Sequence, residues 1–185
     1  MAKKIYNYCA FYVKEPFNES NLGANTAHDF VYYNTLRMWK GNDRSFPFLD
    51  AHGTTYQVRD SSLWETLRTK LHERLDNSKN IIFFLSSITK ESRALKEELF
   101  YGMAILKLPV IVVYPDYSSN LFVANGNGQA DRIKRLWDNV PTFKNNMTKV
   151  PTVHVPMNKD YIQKALEDSD FTLNGKSFNF CWCYN

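Results

Sequence analysis

The sequence predicts an α/β domain in which about five parallel strands alternate with helices in a doubly wound sheet, followed by a carboxy-terminal extension. Two apolar runs carry this reading: Asn80–Ser86 (NIIFFLS) and Val110–Tyr114 (VIVVY) lack polar alternation, as strands do when both faces are covered. Helix-period stretches stand before, between and after them. No fixed-period repeat and no linker interrupts the 185 residues, which read as a single domain, 1–185.

The elements follow in order. Lys3–Phe11 (KKIYNYCAF) is rich in β-formers and opens the chain as a strand. A polar connection from Val13 to Thr26 leads to a helix over Ala27–Trp39, with Phe30, Tyr33 and Arg37 on one side and an end at Lys40-Gly41. Phe46–Ala51 is a short strand whose Pro47 suits an edge position or the first residues. Ser62-Leu63-Trp64-Glu65 is a capping box, and Leu63, Leu67, Leu71 and Leu75 form a ridge on the helix it starts. After the strand Asn80–Ser86, Arg93–Lys107 is helical, with Leu95, Leu99, Gly102 and Leu106 on one stripe, and Val110–Tyr114 is closed by Pro115. Gln129–Trp137 is a helix, Thr152–Val155 a strand and Lys159–Asp168 the last helix. Phe171–Leu173 and Phe178–Tyr184 flank Asn174-Gly175, so the tail is expected as a hairpin with Phe178, Phe180, Trp182 and Tyr184 on one face.

Composition excludes several classes. With 44% hydrophobic and 23% charged residues, disordered and low-complexity chains are ruled out, and a core of this size needs neither disulfide nor metal staple. A net charge of +4 with scattered basic residues is a weak footprint for nucleic acid, and Arg132, Lys134 and Arg135 read as a solvated helix face. No signal peptide or membrane-length apolar run is present, so a cytoplasmic protein without membrane partners is expected. Cys9, Cys181 and Cys183 read as reduced thiols, and no metal spacing emerges from His28, His52, His72 and His154; His154 reads as a satisfied core histidine.

In an open parallel sheet, ligands bind beyond the carboxyl ends of the strands. That rule gathers Tyr6–Phe11, Asp50 with His52-Gly53, Ser86-Ser87 and Pro115-Asp116-Tyr117, each of which also suits ordinary turn chemistry. Glu98 is a sharper signal: on a helical wheel it falls on the flank of the apolar stripe, between Ile105 and Gly102. The positions four residues away are Ala94 and Gly102, which cannot pair its charge, whereas Glu97 points outward and has Arg93 one turn earlier. A carboxylate turned toward the sheet is either a pocket residue or a boundary glutamate that finds a backbone donor. The chain has no P-loop, no GxGxxG and no GxSxG; Gly126-Asn127-Gly128 reads as a loop turn, Cys9 lacks a base, and a phospho-receiver would want acids where Cys9 and Ser86 stand.

The strand KKIYNYCAF, the segment ending Leu49-Asp50-Ala51, the helix start Asp60-Ser61-Ser62-Leu63-Trp64-Glu65, NIIFFLSS followed by Thr89, and ESRALKEELFYGM before LPVIVVYP resemble, in order and spacing, the TIR-like domains of the Thoeris anti-phage defence systems. The resemblance covers residues 3–116, with the fold continuing to about 168 and a tail over 169–185. It implies a flavodoxin-like sheet and cleavage of NAD+ between nicotinamide and ribose, giving a cyclic or conjugated ADP-ribose signal that activates a partner effector. NAD+ would be substrate, with no further cofactor. The family's catalytic glutamate matches Glu98. Tyr6, Tyr8 and Phe11 are then candidates to stack on the ligand's rings, Asp50, Ser86 and Ser87 to bond ribose or phosphate, and Cys9 to line the same site. Many TIR NAD hydrolases carry tryptophan four residues before that glutamate, where this chain has Ala94. Two other functions remain open: a non-catalytic module that self-associates and recruits an effector, and another N-glycosidic enzyme such as a nucleoside deoxyribosyltransferase.

Overall fold

Four parallel strands, β1 (Tyr6–Ala10), β2 (Ser78–Phe84), β3 (Val110–Tyr114) and β4 (Thr152–Pro156), are hydrogen-bonded side by side in that order. A three-residue strand, β5 (Cys181–Cys183), pairs parallel to β4 in the register Thr152 with Cys181 and His154 with Cys183. The computed structural model describes residues 4–13, 28–52, 64–118, 131–173 and 181–183.

Alternate side chains of each strand feed two separate cores. Tyr8, Ala10, Ile81, Phe83, Val110 and Val112 pack on one face beneath α2 (Trp64–Asp76), α3 (Arg93–Leu99), α4 (Asp131–Asp138) and α5 (Pro141–Asn146). Cys9, Ile82, Phe84, Ile111, Val113, Val153 and Val155 pack on the other beneath α1 (His28–Asn42) and α6 (Lys159–Glu167). This two-sided cover is why β2 and β3 read as unbroken apolar runs.

The expected strand over Phe46–Ala51 is reduced to one parallel bridge, Asn7 with Asp50. Pro47 has no N–H to give a ladder, and the Leu49 N–H is taken by the Asn7 side chain at 2.7 Å. Phe46 and Phe48 still bury their rings beside α1. The segment lies along the outer edge of β1, with β2 on its inner edge, so the connections diverge to opposite faces at β1. Ligands bind beyond the strand ends at such a switch point.

The helix expected from Arg93 to Lys107 changes character midway. Ser92 caps α3 by accepting from the Leu95 N–H, and the helix widens into a π turn over Phe100–Ile105. It stops where Lys107 takes a left-handed φ of 56°. Gly102 in that turn is wedged against β2: a Cβ there would overlap Ile81 Cδ1. Two more expectations are corrected. α1 runs through Gly41 to Asn42, and the first arm of the expected tail hairpin, Phe171–Leu173, is not a strand: Phe171, buried, closes a 3₁₀ turn that begins at Ser169. Asn174-Gly175, Phe178, Phe180 and Tyr184, like Ser62 of the capping box and Gly126-Asn127-Gly128, lie outside the described residues. α5 was not anticipated; Pro141 opens it at a first-turn position, where a missing N–H costs nothing. Among the described residues, no helix is long and apolar enough to cross a membrane.

Candidate functional site

Glu98 sits in the last turn of α3, 9% exposed, and the helix aims its carboxyl group at β1. The Tyr8 hydroxyl donates to Oε1 at 2.9 Å. Among the described residues Oε2 has no hydrogen-bond partner. Burial pushes the Glu98 pKa up to about 8, with the Tyr8 bond and the positive field of Arg74 opposing the rise. The group is therefore largely protonated at neutral pH in this arrangement. Burial and the nearby carboxyl also raise the Tyr8 phenol well above its ordinary value.

Tyr8 is fully buried, so its ring is core packing and its hydroxyl is the polar tip that reaches Glu98. The His52 ring lies 4.8 Å from the Tyr8 ring, and its Nε2 donates to the Cys9 carbonyl at 2.8 Å. Burial lowers the His52 pKa to about 4, leaving the imidazole neutral. Phe11 continues the aromatic wall past the end of β1, with ring centroids 5.7 Å from Tyr33 and 5.8 Å from Phe30.

The other candidates are placed unevenly. Tyr6, 42% exposed, stands at the amino end of β1, away from the ligand-binding edge of the sheet. Cys9 points into the opposite core from Glu98, where burial raises its thiol pKa. Asp50 spends both oxygens internally, accepting from the Tyr33 hydroxyl at 2.6 Å and the His52 N–H at 2.8 Å. Ser86 is buried and donates to Asp29 Oδ1 at 2.9 Å. Ser87 is exposed, and its N–H donates to Asp116 at 2.6 Å. The structure thus joins Tyr8 to Glu98 and sets the His52 ring near both the Tyr8 and Phe11 rings, while Phe11 and Cys9 pack on the face of the sheet opposite Glu98 and Tyr6 stands at the amino end of β1.

Glu97 does face outward, but its partners are Arg68 at 2.7 Å and His72 at 2.8 Å on α2. Arg93 instead lays its guanidinium 4.0 Å over the Trp64 ring. Asp29, absent from the sequence argument, is fully buried in the first turn of α1 and accepts from Ser86, from Thr89 at 2.9 Å and from the Tyr12 N–H at 3.3 Å. Its only sequence signal is an acid in a first helical turn, which is commonplace. His154 is a core residue, accepting from Tyr114 at 2.6 Å through Nδ1, but among the described residues its Nε2 has no partner. No group of three or more potential metal ligands converges among the described residues.

One buried carboxyl with a bonded and an unbonded oxygen can, once ionised, stabilise a developing positive charge beside it. It and its neighbours supply neither a nucleophile–base pair nor a phosphate cradle. A sequence model of the family described as Thoeris protein ThsB, TIR-like domain, matches residues 8–120, more than half of the chain.

Proposed function

The chain belongs to the TIR-like domain family of the Thoeris protein ThsB, and we propose that it serves anti-phage defence by cleaving NAD+, releasing nicotinamide and making a cyclic or conjugated ADP-ribose signal for an effector. The observation that supports this best is Glu98, a buried carboxyl with one oxygen unbonded among the described residues, on the helix after β2.

The chemistry asks little else of the protein. The bond from ribose C1′ to the pyridinium nitrogen breaks with its electron pair going to nitrogen, so nicotinamide leaves neutral and needs no general acid. Positive charge builds on the ribose, and an anion beside it lowers the barrier. Glu98 Oε2 is the atom offered for that role. The proton it holds leaves when the positively charged nicotinamide ring arrives, because an adjacent positive charge favours the carboxylate, and the proton passes to water. A hydroxyl or ring nitrogen of the same nucleotide then captures C1′ to give a cyclic product, or a nucleophile of a second molecule captures it to give a conjugate, any O–H proton passing to water; capture by water itself gives free ADP-ribose. Oε2 is buried, so the substrate reaches it only when the side chains over it move aside.

A second reading draws on Asp50 and Ser86, whose side chains already bond Tyr33 and Asp29. Polar groups satisfied internally suit a scaffold, and under this reading the domain is a non-catalytic module that recruits its effector by contact. Incubating purified protein with NAD+ and following nicotinamide by mass spectrometry separates the two: release by wild type but not by Glu98→Gln supports the enzyme, and no release from folded protein, alone or in infected cells, supports the module.

A further inference from the structure

Building on the enzymatic reading above, we propose that Tyr8 is a positioning residue that makes the two oxygens of Glu98 inequivalent, holding Oε1 so that Oε2 alone is presented to the ribose. The arrangement is built for it. Tyr8 is fully buried on β1, a strand paired with β2 on one edge and bridged to Asp50 on the other, so the position of its hydroxyl is set by the sheet. Glu98 is fixed from the other side by α3, which Ser92 caps at its start and which the Gly102–Ile81 contact seats closely on β2. The 2.9 Å bond then joins two rigid elements through their polar tips. A carboxylate without that bond rotates about its last single bond and averages its two oxygens; with it, the lone pairs of Oε2 keep one direction, which is what charge stabilisation by a preorganised group requires.

The charged and titratable groups around Glu98 are Tyr8 and Cys9 from β1 and Arg74 from α2, and Tyr8 is the one that donates a hydrogen bond to it. Removing the phenolic hydroxyl while keeping the ring isolates the effect. In the full chain, Tyr8→Phe is expected to lower kcat for NAD+ cleavage roughly tenfold or more with KM changed less than about twofold. The acidic limb of the kcat profile is also expected to move to higher pH, because the bond that favours the Glu98 carboxylate is gone. A purely structural role for Tyr8 would lower the melting temperature without moving that limb.

The second readout is a carbon-13 titration of the glutamate carboxyls, with Glu98 assigned by its absence in Glu98→Gln. Its midpoint is expected to rise in Tyr8→Phe. An unchanged limb and midpoint, or a raised KM with kcat kept, overturns the proposal. If wild type cleaves no NAD+, the enzymatic reading fails, and the titration alone decides whether Tyr8 controls Glu98.

Discussion

Tyr8 and Glu98 stand 90 positions apart in the chain and meet through a hydrogen bond of 2.9 Å between the central sheet and the helix that covers it. Around that bond the core is apolar, with Leu95, Leu99 and Met103 on the same helical layer. Burying a carboxyl group there costs stability whenever it ionises.

That cost gives a pH signature. The Glu98 pKa is raised from 4.5 in the unfolded chain to about 8 in the folded one, so the folded state holds a proton the unfolded state releases. The stability it carries is complete below pH 4.5 and is lost as pH rises toward 8. Glu98→Gln, which cannot ionise, is expected to melt near wild type at pH 5 and to be more stable than wild type at pH 8.5, by an amount on the order of a few kcal/mol. Thermal melts at both pH values check it; a parallel pH dependence in the two proteins would mean Glu98 is solvated.

His154 acts with the opposite sign. Burial lowers its pKa to about 3, so the folded state refuses a proton that the unfolded chain accepts. The stability it carries is present above pH 6.5 and is lost as pH falls toward 3. His154→Gln keeps an acceptor for the Tyr114 hydroxyl, and its stability deficit against wild type is expected to shrink between pH 7 and pH 4 in urea titrations.

Asp29 ties the start of α1 to the turn after β2 through Ser86, Thr89 and the Tyr12 N–H. Asp29→Ala leaves these buried donors without their acceptor, and a loss of about 2–4 kcal/mol is expected in denaturant unfolding. Asp29→Asn, which keeps one acceptor oxygen, is expected to lose less.

Gly102 lets the π turn approach β2, and the methyl of Gly102→Ala would press on Ile81 and lie 3.3 Å from Leu75. The gain in helix propensity offsets part of the strain, so a net loss of about 1 kcal/mol is expected by urea unfolding. Because Glu98 lies one turn earlier, the same variant is expected to lower NAD+ turnover more than its stability loss alone would.

The sequence made β2 and β3 legible because cover on both faces leaves no polar alternation, and the leucine ridge of α2 because burial follows the helical period. The inward turn of Glu98 followed from the same wheel geometry. The Phe46–Ala51 strand was overread because propensity cannot show that the Asn7 side chain takes the Leu49 N–H. The widening of the helix at Phe100 is set by its fit against Ile81, a tertiary contact that no local pattern encodes. Glu97 is a related case: its partners, Arg68 and His72, come from a different helix, which the spacing within its own helix does not show. The roles of Asp50 and Ser86 were hidden because Tyr33 and Asp29 reach them across the fold.

For the proposed role of Glu98 in NAD+ cleavage its neighbour provides the control, since Glu97 is the same residue type engaged at the surface by Arg68 and His72. The direct measurement is mass spectrometry of purified wild type, Glu98→Gln and Glu97→Gln incubated with NAD+, together with extracts of phage-infected cells expressing each. Nicotinamide and a new ADP-ribose species are expected with wild type and Glu97→Gln, and neither with Glu98→Gln despite an intact fold. Equal loss in both variants, or turnover that survives Glu98→Gln, would contradict that role.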